Sequence, residues 1–170
     1  MLLIEAGTHL IVDALTCPYR TGERVRAKKL LRSVTQGMLL MWDRGLHSYR
    51  MVQATLAQKC HYLGRVPKNV KFQVVKVLED GSYLSWIVPD GKSKKKGATP
   101  IMVRVIEYTI DTDAEPQIYR LITSLTDIAL FPAVLLATEY HRRWSVENTI
   151  DELKVHLNGR KTLIRSRASP

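Results

Sequence analysis

Cysteine is scarce: Cys17 and Cys60 are the only two in 170 residues. Neither stands in a paired spacing, which excludes a disulfide-stapled scaffold and a thiolate zinc site. Acidic side chains are also few. Asp plus Glu number 16 against 26 Lys plus Arg, leaving a net charge of +10 and a pI near 9.8. Such an excess favours a polyanionic partner, because neutralising phosphates releases counterions. Long apolar runs are missing, and none reaches the roughly 18 residues a membrane span needs. The first residues show no charged-then-apolar signal layout with a cleavage site. No basic amphipathic helix sits beside an apolar stripe, so nucleic acid is preferred over an anionic membrane. There is no Gly-x-Gly-x-x-Gly, phosphate loop or serine elbow. His47, His61, His141 and His156 stand isolated rather than at zinc spacing. The expectation is a soluble, cytoplasmic protein without a membrane span or nucleotide cofactor, its thiols inert in a reducing compartment.

What is present is ordinary for a globular chain, with 45% apolar and 25% charged residues. The length allows one real core, or one core with a lobe inserted in it. Met1 to Ile4 and His9 to Ala14 read as neighbouring strands. Thr21 can cap a helix over roughly 23–34, with Val25, Leu30, Leu31 and Val34 inward. Met38 to Trp42 is a continuous apolar run, the mark of a strand covered on both faces. It ends in Asp43-Arg44-Gly45. Ser48 can cap a helix to about Lys59, and His61 to Val66 returns as a strand. Strand, helix, strand in that order predicts parallel pairing.

From Pro67 the pattern changes. Lys71 to Leu78, Ser82 to Val88 and Ile101 to Ile110 alternate like strands, punctuated by the hairpin signals Asp80-Gly81 and Asp90-Gly91. Ile118 to Leu125 is one more strand. The chain therefore divides into 1–66, 67–116 as a β-rich insertion, 117–159 rejoining an α/β core, and a basic tail at 160–170. Lys92 to Lys96 holds four lysines at the presumed hairpin tip. They either blunt a sheet edge or contact phosphate. Trp86 reads as core packing, with stacking on an unpaired base as the alternative.

Pro132 to Gly159 has helical grammar, with proline suited to the first position and Asn158-Gly159 to a stop. Leu135, Val146, Ile150, Leu153 and Leu157 share a buried face. A flanking stripe holds Tyr140, Arg143, Glu147, Asp151 and Lys154. Glu147 and Asp151, one turn apart, repel by about 0.2–0.5 kcal/mol unless a cation sits between them. Spacing alone leaves a solvated face and a metal-binding face both open. Asp43 is equally open between a turn residue and a ligand-crevice carboxylate at the carboxyl end of a buried strand.

Tyr140-x2-Arg143-x3-Glu147-x6-Lys154 resembles the signature of DDE transposases of bacterial insertion sequences, specifically the fourth-numbered insertion-sequence family. Asp43-Arg44-Gly45 is similar to that family's second acidic box. The resemblance implies a ribonuclease-H-like mixed α/β sheet flanked by helices, carrying a β-rich insertion and truncated at both ends. It implies Asp43 and Glu147 as catalytic, metal-holding carboxylates for two Mg²⁺ ions, with Mn²⁺ as a substitute. Tyr140, Arg143 and Lys154 then grip DNA; Arg44, and Lys94 and Lys95 in the insertion, are further DNA-binding candidates by their charge. Dimeric synapsis of transposon ends is also implied. The family's first Asp has no counterpart, since Asp13 is too close to Asp43 for two intervening strands. A chain so built is expected to be inactive alone, with a DNA-binding remnant as the other reading.

Overall fold

The computed structural model describes residues 1–18, 20–110 and 117–143. Eight strands and four α-helices are set out over these residues. β1 (Leu2–Ile4) and β2 (Ile11–Ala14) form an antiparallel pair of their own. β3 (Leu39–Trp42), β4 (His61–Arg65), β5 (Lys76–Val77), β6 (Tyr83–Ile87), β7 (Ile101–Ile110) and β8 (Gln117–Thr123) make one sheet in the order β3-β4-β8-β7-β6-β5. Only β3 and β4 run parallel, in register from Leu39 opposite His61 to Trp42 opposite Gly64. The expected strand–helix–strand unit is therefore present, and the strands of the β-rich segment extend the same sheet.

Strand alternation sorts the core into two layers. On one face Tyr62, Val103, Val105 and Ile122 meet α1 (Glu23–Leu30) and α2 (Tyr49–Ala57). On the other, Leu63, Ile106 and Leu121 meet Leu136 and Tyr140 of α4 (Ala133–Arg142). The Ser48 hydroxyl caps α2 by accepting the Met51 N–H at 3.2 Å.

Several expectations are corrected. β3 packs Leu40 and Trp42 in one layer and Met41 in the other, as expected, but it stands last in the sheet order and Leu39 at its start is 38% exposed. The buried centre of the sheet lies instead in β4, β8 and β7. Gly22, not Thr21, occupies the cap position of α1, and Val25 points outward while Ala27 packs inward. Strand structure within 71–78 is confined to the two residues of β5. The lysine run is not a bare hairpin tip but a short helix, α3 (Gly91–Lys94), capped by Asp90. Trp86 is 43% exposed, because β6 turns Ser85 and Ile87 toward the core instead. Pro132 stands at the cap of α4, one residue before its first helical position.

A fully buried arginine holds the end of α4 in place. Arg104 on β7 donates to the Ser82 hydroxyl at 2.8 Å and to the carbonyls of Leu125 and Phe131 at 3.0 and 2.7 Å. It also pairs with Asp80. Asp80 Oδ2 in turn accepts the Ala133 N–H at 2.8 Å. Pro132 has no side chain with which to cap α4, so Asp80 supplies that acceptor from the hairpin turn between β5 and β6. No helix among the described residues is long and apolar enough to cross a membrane.

Candidate functional site at the end of the edge strand

Asp43 follows directly on β3 and begins a 3₁₀ turn over Arg44–Leu46. Its side chain is 47% exposed, so a carboxylate oxygen is open to ligands. The turn is held from α1, where Arg24 Nε donates to the Gly45 carbonyl at 3.0 Å. Asp43 emerges on the α4 side of the sheet, two positions along from Met41, which packs in the α4 layer.

From α4, the Tyr140 hydroxyl reaches back to this turn. It donates toward Asp43 Oδ1 at 3.3 Å and the Trp42 carbonyl at 3.4 Å. The Tyr140 ring is fully buried, and burial lifts its phenol to about 12 against the opposing influence of Arg143. It remains a protonated donor at neutral pH. The Arg143 guanidinium lies 5.3 Å from the Tyr140 ring centroid. Asp43, Tyr140 and Arg143, drawn from two motifs nearly a hundred residues apart, thus share one site. Tyr140 lies beneath Asp43 rather than on an open surface.

Sequence reasoning missed Arg65. Its Nη1 stands 3.8 Å from Asp43 Oδ1, and its guanidinium lies 4.1 Å above the Tyr119 ring. The signal was the parallel register: with Trp42 opposite Gly64, the next residues, Asp43 and Arg65, must be neighbours. Tyr108 stacks on Tyr119 and bonds His141 Nε2 through its hydroxyl at 2.9 Å. Burial, Arg65 and Arg143 all press the His141 imidazole toward its neutral form. The rim therefore combines one open carboxylate with two guanidiniums and an aromatic floor.

Arg44 is exposed in the turn beside Asp43. Lys94 and Lys95 are exposed too, but α3 packs on α2 and does not join the Asp43 cluster. Glu147 and Lys154 lie outside the described residues. Asp13 is engaged elsewhere, holding Arg32 at 2.9 Å through both carboxylate oxygens and accepting the Ser33 hydroxyl at 2.6 Å. Among the described residues no group of three His, Cys, Asp or Glu could hold a metal ion. Asp43 offers the hard oxygen a divalent cation prefers, but supplies only one carboxylate.

His47 closes the same turn. It is buried, with Nδ1 lacking a hydrogen-bond partner, and burial lowers its pKa from 6.5 to about 4, with Arg24 adding to the effect. The unfolded chain takes up this proton first, so stability falls as pH drops from 6.5 toward 4, by up to about 3 kcal/mol. A His47→Gln variant should lose most of that slope in a urea-melt series. A slope unchanged by the substitution would refute the assignment.

A groove of about 890 Å³ runs from this site between the free edges of β1 and β3, lined by Leu2, Leu3, Leu39, Leu40, Asp43 and Arg143 among others.

Comparison with known proteins identifies the family. The family described as "Transposase DDE domain" matches residues 1–169. "Transposase InsG for insertion sequence element IS4" of Escherichia coli (strain K12) is 22% identical over 169 residues, covering 96% of this chain and 37% of that relative. "Putative transposase InsZ" of the same organism is 30% identical over 78 residues, covering 44% of this chain and 26% of that relative. The chain thus spans little more than a third of InsG's length. With a family match along almost its whole length, and with both signature segments meeting at Asp43, the chain belongs to the DDE-domain transposases.

Proposed function

We propose that this chain is part of the catalytic core of an insertion-sequence transposase of ribonuclease-H-like fold, acting on DNA. The observation that supports the reading is the hydrogen bond from Tyr140 to Asp43, with Arg143 against the tyrosine ring. It joins the second acidic box to the signature helix. In this reading Asp43 and Glu147 hold divalent metal, Mg²⁺ or Mn²⁺, as two ions in the complete site. When bound there, the metal would supply Lewis-acid stabilisation of the oxygens of a phosphodiester. The residues of this chain do the rest. Tyr140 fixes the Asp43 rotamer from below. Arg143, Arg65 and Arg44 offer guanidiniums to phosphates beside it, and Lys154 extends that grip. The family reaction is cleavage at transposon ends followed by strand transfer from the freed 3′-hydroxyl, within a dimeric synaptic complex in the bacterial cytoplasm. The division into 1–66, 67–116, 117–159 and 160–170 belongs to the same proposal.

Among the described residues no three His, Cys, Asp or Glu cluster to hold a metal, and Asp13 is engaged by Arg32 and Ser33. That observation favours a second reading, a DNA-binding remnant that does not turn over. Both readings predict salt-sensitive binding to terminal-repeat DNA without Mg²⁺-dependent nicking by the purified chain. They part on metal. As a core fragment, the chain should bind Mn²⁺ weakly, and Asp43→Asn or Glu147→Gln should each weaken that binding by at least about tenfold while DNA binding persists. Titration followed by the Mn²⁺ paramagnetic resonance signal reads this directly. Unaltered Mn²⁺ affinity in both variants would leave only the remnant, and clear nicking would overturn the incompleteness of the site.

A further inference from the structure

The lysines of α3 are held, not dangling. Arg50, in the first turn of α2, donates from Nε to the Ser93 hydroxyl at 3.2 Å and from Nη2 to Asp90 Oδ1 at 3.1 Å. Its Nε also lies 2.9 Å from Asp90 Oδ2. Asp90 is at the same time the cap of α3, accepting the Ser93 N–H at 2.8 Å. Those contacts hold the Asp90 carboxyl below its usual range, with the Ser93 N–H the largest influence. The neighbouring residue Tyr49 ties down the far side of the loop, its hydroxyl donating to the Thr99 carbonyl at 2.7 Å. Between α2 and this loop lies a cleft of about 500 Å³, with Gln53, Ser93, Lys96 and Thr99 on its polar walls.

Four lysines, at 92, 94, 95 and 96, crowd this single turn and its exit, and all are exposed. Among the described residues every carboxylate–cation pair uses arginine, so these lysines keep their charge unneutralised. Like charges so close repel, and a helix of four residues does not hold itself together in water. Something must supply the order, and among the described residues the ionic contact to the turn is made by Arg50. Arg50 also stands close behind the Asp43–His47 turn in the chain, separated from it only by Ser48 and Tyr49. The lysines are thereby fixed to the same helix that follows the site.

We propose that Arg50 is a positioning residue which, through Asp90 and Ser93, presents the α3 lysines as a second phosphate-binding surface for duplex DNA on the α2 side of the sheet. The inference rests on the reading of DNA as partner. Charge complementarity identifies the ligand class, and the polar cleft beside Lys96 offers room for a backbone phosphate. Arg50 touches no DNA itself; it acts through the lysines.

The experiment measures binding of the intact chain to a synthetic DNA duplex across a salt series. Lys94→Gln with Lys95→Gln should lower affinity about tenfold and flatten the log–log salt slope by about 2, near 0.9 per lost phosphate contact. Arg50→Ala should lower affinity about three- to fivefold, the scale of a partly exposed charge-assisted pair. Arg50→Lys, which keeps a cation opposite Asp90, should recover part of the loss. The deciding measurement is Arg50→Ala in the Lys94→Gln, Lys95→Gln background, where its effect should nearly vanish. A full, additive loss there would mean that Arg50 contacts DNA directly and would overturn the positioning role. Wild-type slope in the lysine variant, or unchanged affinity in folded Arg50→Ala, would overturn it as well. Absence of DNA binding by the wild-type chain would instead sink the proposed function.

Discussion

Arg104→Met should lower the stability of the chain by about 3–5 kcal/mol, among the largest effects of any single substitution outside the site. The methionine fills much of the volume but leaves the carbonyls of Leu125 and Phe131 without the donors that reach them now. It also strips Asp80 of its guanidinium. Burial works to raise the Asp80 pKa, yet the Ser82 hydroxyl, the N–H groups of Ala133 and Ser82, and Arg104 together keep it below the usual range. Once Arg104 is gone, part of that balance is lost. Asp80→Asn should cost a similar amount, about 3–5 kcal/mol, because it leaves the fully buried Arg104 guanidinium without its counter-charge even though the amide oxygen still accepts from Ala133. Denaturant melts of the two variants and their double mutant decide the matter. The double should fall well short of the sum, since both side chains serve one network. Additive losses would show that Arg104 and Asp80 act separately. The network spans the β5–β6 turn, β7 and the start of α4, so its loss should also loosen the helix that carries Tyr140. Hydrogen exchange at the α4 amides would report this.

Gly64→Ala should be nearly as damaging, at about 2–3 kcal/mol or more. A methyl at this position would land within the indole of Trp42, which covers Gly64 across the β3–β4 pair. Trp42 is 2% exposed and stacks on Tyr62 with ring centroids 5.3 Å apart, so it has nowhere to retreat. Whatever displaces Trp42 also displaces the next residue, Asp43. On the proposed function, the variant should therefore weaken Mn²⁺ and DNA binding at the rim in proportion to its structural shift. Trp42→Leu costs stability alone but opens space for the methyl. Combined with Gly64→Ala it should give a protein more stable than the sum of the single losses predicts. Simple additivity in thermal melts would remove the steric explanation.

How far the residues alone disclose this molecule depends on the range of the forces involved. The Ser48 cap, the parallel unit from β3 through α2 to β4, and the β1–β2 pair were legible because each is written within a short stretch. Asp43 and Tyr140 could be singled out by motif spacing, and the structure brings them together. Arg65 was invisible until the register was known, since nothing in the sequence around it marks a site. Trp86 was misassigned because hydrophobicity says that a residue can be buried, while only the order of strands says which face is covered. Nothing in the sequence around Arg104 marks it, because its role depends on four partners more than twenty residues away. The lysine run was read as a hairpin tip from the Asp90-Gly91 turn signal, and the contact that steadies its short helix comes from Arg50, forty residues before Asp90. For β3 the apolar run was real, and among the described residues a groove lies beside its outer edge.

That groove gives the sheet two unlike margins. At the β5 end the last strand is two residues long, carries Lys76 and offers little backbone for a visitor to zip onto. At the β3 end four consecutive residues keep one side of their amides and carbonyls unladdered, beside leucines that are partly wet. Among the described residues, β3 is therefore the margin at which a further strand would add to this sheet, and a strand laid there would cover Leu39.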